Sequence, residues 1–125
     1  LLACYQQCDL FALPNRRIGW DVEGFGMVLV EAQSCAKPVI AGASGGTTDT
    51  FVPGVTGELV DTENPQALAD AVIALLGNAE RLRHMGRRAR DRAVASFDWM
   101  PLTAQAMNVF TGTQTGSPQP AMDVA

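Results

Sequence analysis

Three short strand-like runs, joined by loops and a helical segment, constrain the fold of this chain more than any other feature. The runs are DLFAL at 9–13, PVIAG at 38–42 and GELV at 57–60. The first two lack polar alternation, which is typical of strands that are covered on both faces of a sheet. A helical pattern lies between them, from about Gly26 to Ala36. The order predicts an α/β layer fold with a parallel sheet.

Two further helices are predicted after the third strand. Asn64 followed by Pro65 is a helix-start signal, and it opens QALADAVIALL, which ends at Gly77. Asn78 begins a second helix that continues to about Ser96. This helix carries six arginines, which we interpret as a solvated face, with an apolar stripe of Leu82, Met85, Ala89 and Ala93. Phe97 and Trp99 are expected to fix the end of the chain's helical part.

The chain is expected to be part of a domain. Its first residues, LLACYQQ, are already helix-patterned and lack an initiator methionine. Three strands are too few for a complete doubly wound sheet, so we expect a partial Rossmann-like sheet whose N-terminal portion is missing. We assign 1–110 to this partial domain. The Gly/Pro/Thr/Ser-rich segment at 111–125 is predicted to be a disordered tail.

Composition excludes several classes of function. The formal net charge of −4 argues against nucleic acid as a partner. No apolar run approaches the roughly 20 residues of a membrane span. Cys4, Cys8 and Cys35 lack a disulfide or metal-ligand spacing, and the only histidine is His84. We therefore expect core cysteines, a cytoplasmic location and no metal site.

Glycine-rich loops follow the first two strands. They are PNRRIGWDVEGFG at 14–26 and ASGGTTDT at 43–50. Because the carboxyl ends of parallel strands share one edge of a sheet, both loops should meet there. The first loop leads into a helix N-terminus at Gly26, where free N–H groups and the helix dipole favour an anion. Gly24 and Gly26 leave its approach open, which predicts a phosphate or diphosphate site. The alternative for these glycines is turn geometry alone.

Two glutamates flank this predicted anion site. Glu31 lies in the otherwise apolar or small run from Val28 to Ala32, so its carboxylate needs hydrogen-bond donors. Ribose hydroxyls would supply them, whereas a purely structural Glu31 would cap N–H groups of a neighbouring loop. Glu23 precedes the helix and could bind another hydroxyl. The alternative is a carboxylate that is there only because the positive end of the helix dipole stabilises it. Because Glu31 lies eight residues beyond Glu23 and points elsewhere, the spacing argues against a glycosidase-type pair of carboxylates that flanks one bond.

The pattern Glu23-x7-Glu31 resembles the E-x7-E motif of retaining glycosyltransferases with the GT-B fold. The continuation, with SCAKPVIAG and the Gly-Gly pair after it, is similar to family 4, the group 1 glycosyltransferases. The segments CDLFALP, TGELV, QALADAVIALL and SFDW extend this resemblance from about Tyr5 to Trp99. It implies the C-terminal, donor-binding half of such an enzyme.

The resemblance implies a role for each residue of the motif. Glu23 would be the catalytic residue that binds hydroxyls of the donor sugar, aided by Gly24 and the amides of Phe25 and Gly26. The amides of Met27 and Val28 would meet the diphosphate, and Glu31 would bind the ribose. The implied reaction moves a sugar, with retention, from a GDP- or UDP-linked donor to an acceptor glycan or lipid. It needs no cofactor and, in general, no metal ion.

Several positions depart from the family pattern. Ala36 stands where glycine is usual, Asp49 where glutamate is usual, and Asn15 where serine is usual. The stretch NRRIGWDVEGFGMV is similar to bacterial lipid mannosyltransferases that act on phosphatidylinositol. That similarity leaves open a location at the inner face of the membrane, with peripheral association of the full enzyme.

Two other functions compete with this one. Gly24-Phe25-Gly26 could open a dinucleotide fingerprint, but Leu29 occupies the third glycine position and the following strand ends in Gly42 rather than an acidic residue. An oxidoreductase is therefore disfavoured. A non-catalytic nucleotide-sugar-binding module of the same fold stays as the alternative.

Overall fold

The structure is a computed structural model that describes residues 1–112. The predicted disorder of the tail lies almost entirely outside this part of the chain. The elements in chain order are α1 (Leu2–Gln7), β1 (Phe11–Leu13), α2 (Met27–Ser34), β2 (Val39–Gly42), α3 (Thr47–Thr50), β3 (Gly57–Val60), α4 (Pro65–Leu76), α5 (Ala79–Phe97) and α6 (Trp99–Thr111).

The three strands form one parallel sheet in the order β1-β2-β3. Val39 of β2 pairs with Phe11 on one side and with Gly57 on the other. This confirms the predicted α/β fold with a parallel sheet. The first strand begins at Phe11, two residues later than predicted, where the Phe11 N–H donates to the Pro38 carbonyl at 3.1 Å.

Helices cover both faces of the sheet because β2 alternates between two cores. Val39 and Ala41 pack with Tyr5, Leu29 and Phe51, on the face that carries α1 and α2. Ile40 points the other way, into a second cluster that includes Leu75 of α4 and Met85 of α5. Burial on both faces explains why this strand is apolar at every position.

Side-chain caps begin α4 and α5 as predicted. The Asn64 side chain accepts the N–H groups of Gln66 and Ala67 at 3.0 and 3.4 Å. The Asn78 side chain accepts the N–H of Arg81 at 2.9 Å. Each bond satisfies a donor that the first turn of the helix leaves free. The short helix α3 was not predicted, because its TTDT sequence has no apolar periodicity.

The arginine-rich helix α5 packs against the rest of the molecule, and three of its arginines bind groups on other elements. Its buried residues are Met85, Gly86, Ala89 and Ala93, which largely confirms the predicted stripe. Arg81 forms an ion pair with Glu58. Arg90 donates to the Ser34 carbonyl, and Arg92 donates to the Asp49 carbonyl. Five of the six arginines are exposed, as a solvated face predicts, whereas Arg92 is half-buried, so the interpretation was wrong for Arg92.

Ala36 adopts a left-handed conformation, with φ of 58°. A Cβ atom at such a φ costs about 1–2 kcal/mol, which gives a physical reason for the glycine usual here in the resembling family. The conformation turns the chain between α2 and β2 beneath α5. There Gly86 comes so close that a Cβ on it would lie 2.3 Å from the Ala36 carbonyl oxygen.

Two packing expectations were wrong. Trp99 is 83% exposed, so it does not fix the end of α5, and α6, which was not predicted, has no buried residue. Cys4 is exposed on α1, because no described element packs against that side of the helix. Among residues 1–112, no helix combines the length and the apolar character needed to cross a membrane.

Candidate functional site

The two glycine-rich loops lie against each other at the carboxyl edge of the sheet, as predicted. The Gly46 N–H approaches the carbonyls of Gly24, at 3.0 Å, and Glu23, at 3.4 Å. Gly45 has φ of 61°, and a Cβ on it would lie 1.6 Å from the Glu23 carbonyl oxygen. The second loop therefore sets the position of the Glu23–Gly24 backbone, and only glycine fits at that contact.

Asn15 connects the chain at the ends of all three strands. Its side chain accepts the Gly42 N–H at 3.1 Å and donates to the Ser44 carbonyl at 3.2 Å. Its own carbonyl accepts the Thr62 hydroxyl at 2.8 Å. These bonds span the loops after β1, β2 and β3, so the asparagine found in place of serine organises this edge. Sequence reasoning noted Asn15 only as a departure and missed this role.

Helix α2 begins at this edge of the sheet, and no side chain of residues 1–112 caps its N-terminus. Gly26 is the N-cap residue, with φ of 80°. Met27 is exposed and Val28 is half-buried, so the first turn lies at the surface. A Cβ on Gly26 would stand 3.2 Å from side chains of Leu29 and Thr47. The N–H groups of the first turn and the helix dipole are thus available to an anion.

Glu31 is half-buried rather than fully buried. Its Oε2 accepts the hydroxyl of Tyr5, which lies 26 positions earlier, at 2.8 Å. Its other oxygen meets no donor within residues 1–112. The local alternative, a glutamate that caps loop N–H groups, is wrong because its partner is a side-chain hydroxyl. Sequence reasoning missed Tyr5, since only the fold brings α1 beside α2.

The Tyr5 hydroxyl should resist ionisation. Burial, together with the hydrogen bond to Glu31, raises the pKa of Tyr5 from 10.0 to about 12. A raised pKa means that the folded state prefers the protonated phenol. Stability from this source is complete below about pH 10 and is lost as the pH rises towards 12.

Alkaline titration tests this expectation. The tyrosinate absorbance of the wild type minus that of Tyr5→Phe should give a pKa near 12. Glu31→Gln should lower this value, because a neutral amide no longer repels the phenolate, while burial still keeps it above 10.0. A Tyr5 pKa that stays near 10.0 in the wild type would contradict the contact with Glu31.

Glu23 is half-buried beside an open cleft of about 220 Å³. Asn15, Arg16, Asp21 and Val22 line the rest of this cleft. A cleft of about 260 Å³ lies elsewhere, along α5, and contains none of the predicted site residues. We assign function to the smaller cleft because it adjoins the glycine loops and the start of α2.

Phe25 is fixed from the side of α5. Its ring packs edge-on against Phe97, with 5.9 Å between centroids. The Arg92 guanidinium lies over the same Phe97 ring at 5.2 Å and donates to the Asp49 carbonyl at 2.7 Å. Burial lowers the pKa of Arg92 from its usual value, against an opposing effect of Asp49. Phe25 thus uses its side chain for packing, and its backbone N–H has no hydrogen-bond partner within residues 1–112.

No group of three potential metal-binding side chains occurs within the part of the chain that the structure describes. The site instead offers oxygen acceptors, on Glu23 and Glu31, beside backbone N–H donors at a helix end. Such an arrangement suits a ligand with both hydroxyl groups and a phosphate.

Comparison with known proteins identifies relatives of the same kind. Over 114 residues the chain is 38% identical to a GDP-mannose-dependent alpha-(1-6)-phosphatidylinositol monomannoside mannosyltransferase of Mycolicibacterium smegmatis. This alignment covers 90% of the present chain and 30% of the relative. Over 99 residues it is 41% identical to a D-inositol 3-phosphate glycosyltransferase of Nocardia farcinica, covering 79% of this chain and 21% of the relative. The chain therefore spans less than a third of these relatives.

Solved structures agree on the fold. Sucrose-phosphate synthase from Thermosynechococcus elongatus superposes with a TM-score of 0.79 at 32% identity, over 88% of this chain and 26% of that one. HepE of Anabaena, in complex with UDP, superposes with a TM-score of 0.78 at 28% identity, over 87% of this chain and 29% of that one. The neighbours are GT-B glycosyltransferases, as the resemblance implied. Residues 1–92 match the family described as Glycosyl transferases group 1, and the chain belongs to that family.

Proposed function

We propose that this chain forms the donor-binding part of a retaining glycosyltransferase. In this proposal it is a partial C-terminal domain that accepts a nucleotide-diphosphate sugar. The observation that carries the proposal is the contact of the Gly45–Gly46 backbone with the Glu23–Gly24 backbone, at the uncapped start of α2. Glu31 lies on the same helix with one carboxylate oxygen unused by residues 1–112.

Each end of the donor has a complementary group in this arrangement. The N–H groups of Met27 and Val28 face a diphosphate, whose charge the helix dipole favours. The free oxygen of Glu31 accepts ribose hydroxyls, while Tyr5 holds the other oxygen in place. Glu23, aided by the amides of Phe25 and Gly26, binds hydroxyls of the sugar.

Chemically, this site would act mainly on the leaving group. Negative charge grows on the diphosphate as the bond to the sugar breaks, and preoriented N–H groups stabilise that charge. Glu23 would hold the sugar so that the acceptor attacks from the side that the diphosphate leaves, which preserves the anomeric configuration. The acceptor and further basic groups would come from outside these 125 residues.

The similar proteins differ in the substrates for which they are named. The mycobacterial relatives are named for GDP-mannose and a phosphatidylinositol monomannoside, and the Anabaena structures contain UDP or UDP-glucose. We propose a GDP- or UDP-linked donor and an acceptor glycan or lipid. A lipid acceptor would place the full enzyme at the cytoplasmic face of the membrane.

A thermal-shift panel on the full-length protein tests the donor site. GDP, UDP, ADP and NAD are compared at equal concentration, since a ligand at about a hundredfold excess over its Kd adds about 2.7 kcal/mol of stability. We expect a shift with one or more nucleoside diphosphates that Glu31→Gln abolishes. Glu63→Gln is the matched control, because Glu63 is exposed in the loop before α4. A shift with NAD alone, or the absence of a shift with all four nucleotides, would overturn the proposal. A nucleoside diphosphate shift without sugar transfer would favour the non-catalytic module.

A further inference from the structure

A tight turn projects from the first glycine-rich loop beside the Glu23 cleft. We call residues 16–22 the Trp20 turn. Ile18 and Asp21 exchange two backbone hydrogen bonds of 3.0 Å each, which close a two-residue turn at Gly19 and Trp20. Gly19 has φ of 61°, as the first central residue of a type II′ turn requires. The Arg17 Nε–H donates to the Gly19 carbonyl at 3.1 Å, so the turn is a defined structure.

The side chains of this turn are apolar and face solvent. Trp20 is 94% exposed, Ile18 is 61% exposed and Val22 is 44% exposed. Within residues 1–112 no side chain covers the indole ring of Trp20, so its apolar area is open to a partner. An indole ring combines a large apolar area with one polar N–H, a combination enriched where lipid meets water.

The charges around the turn favour an anionic surface. Arg16 and Arg17 are exposed and adjoin the apolar side chains, while Asp21 is the one acidic residue among 16–22. Basic side chains beside exposed Trp and Ile are the combination that attracts a protein to anionic lipid headgroups. Apolar contact and charge thus point to the same kind of partner.

Helix α6 offers a contrast within the same chain. It also exposes large apolar side chains, including Trp99 at 83% and Phe110 at 85%. Its sequence, WMPLTAQAMNVFT, contains no basic residue that could attract an anionic lipid. Apolar exposure without charge gives no preference for such a surface, so Trp99 serves as a matched control for Trp20.

We propose that the Trp20 turn contacts an anionic lipid bilayer, with Trp20 and Ile18 inserted at the level of the headgroups. Arg16, Asp21 and Val22 of this turn also line the cleft next to Glu23. Contact through the turn would therefore hold the mouth of that cleft against the membrane surface, where a lipid acceptor lies. The last consequence rests on the proposed function, whereas the membrane contact itself does not.

Vesicle sedimentation of the full-length protein tests the contact. Vesicles of phosphatidylcholine alone are compared with vesicles that also contain phosphatidylglycerol, at low and high salt. We expect binding to the anionic vesicles that weakens with salt. The variant Ile18→Ala/Trp20→Ala should bind them roughly tenfold more weakly, because it loses the inserted apolar area. Trp99→Ala should bind like the wild type.

Each outcome has a defined meaning. The proposal would be overturned if Ile18→Ala/Trp20→Ala bound the anionic vesicles as well as the wild type does. It would also be overturned if Trp99→Ala lost vesicle binding to the same extent as Ile18→Ala/Trp20→Ala. The proposal would also be overturned if the wild type bound no vesicle, or if Trp20 were needed only for binding to another protein. The nucleotide thermal shift is measured on the same variants. If Ile18→Ala/Trp20→Ala keeps a normal nucleotide-dependent shift but loses vesicle binding, the result supports membrane contact through the Trp20 turn. If the wild type shows no nucleotide-dependent shift, only the proposed donor site is refuted.

Discussion

Glu23→Gln should lower the rate of sugar transfer by at least about a hundredfold while nucleoside diphosphate affinity stays close to that of the wild type. Removal of a single preoriented group that acts on the transition state commonly costs about 10²–10³ in kcat. The loss should be confined to transfer because Glu23 lies beside the cleft, whereas the diphosphate is assigned to the start of α2. The change is almost isosteric and leaves intact the Glu23 carbonyl, which Gly46 contacts.

The experiment uses the full-length enzyme with its donor and acceptor. The steady-state kcat is measured together with the thermal shift produced by the diphosphate, and Glu63→Gln is the control. Nuclear magnetic resonance of the product gives the anomeric configuration, which should equal that of the donor. Unchanged kcat in Glu23→Gln would refute the catalytic role, and an inverted product would refute the retaining mechanism.

Gly45→Ala should unfold the carboxyl edge of the sheet. Two costs add at this position: the left-handed φ of 61°, worth about 1–2 kcal/mol, and the overlap of the new Cβ with the Glu23 carbonyl oxygen at 1.6 Å. Backbone on both sides must move to relieve such an overlap, which typically costs a further ~1–3 kcal/mol. We expect a total loss of about 3 kcal/mol in the free energy of unfolding, with loss of the nucleotide-dependent shift.

Gly19→Ala separates these two costs. Gly19 has the same φ of 61°, but a Cβ on it would meet no atom within 4 Å. Urea unfolding of both variants should therefore show the smaller, conformational cost alone in Gly19→Ala, with nucleotide binding retained. If Gly45→Ala proved no less stable than Gly19→Ala, the two glycine-rich loops would not be in the contact described.

Sequence patterns that act locally were sufficient for much of the fold. The apolar runs located β1 and β2, and the Asn64 and Asn78 caps located α4 and α5, because capping and burial depend on near neighbours in the chain. The rule that parallel strands end at a common edge also placed the two glycine-rich loops together. The role of each residue in binding stays a prediction, which the variants of Glu23 and Glu31 test.

Contacts between distant residues were beyond such patterns. The bond between Tyr5 and Glu31 spans 26 positions, and the bond between Asn15 and Thr62 spans 47. Trp99 illustrates the reverse error, because an aromatic residue near a helix start suggests an anchor, yet whether it is buried depends on what lies opposite.

The sequence by itself therefore determined the layers of this protein, the edge at which its loops meet and the helix end exposed there. Those features follow from hydrophobic periodicity and from the hydrogen-bonding needs of short segments of backbone. Only the tertiary structure decided which groups hold the site in place: Tyr5 against Glu31, Gly45 against Glu23, and Arg92 with Phe97 behind Phe25. Their partners lie far apart in the chain, and packing of the helices on the sheet brings them together.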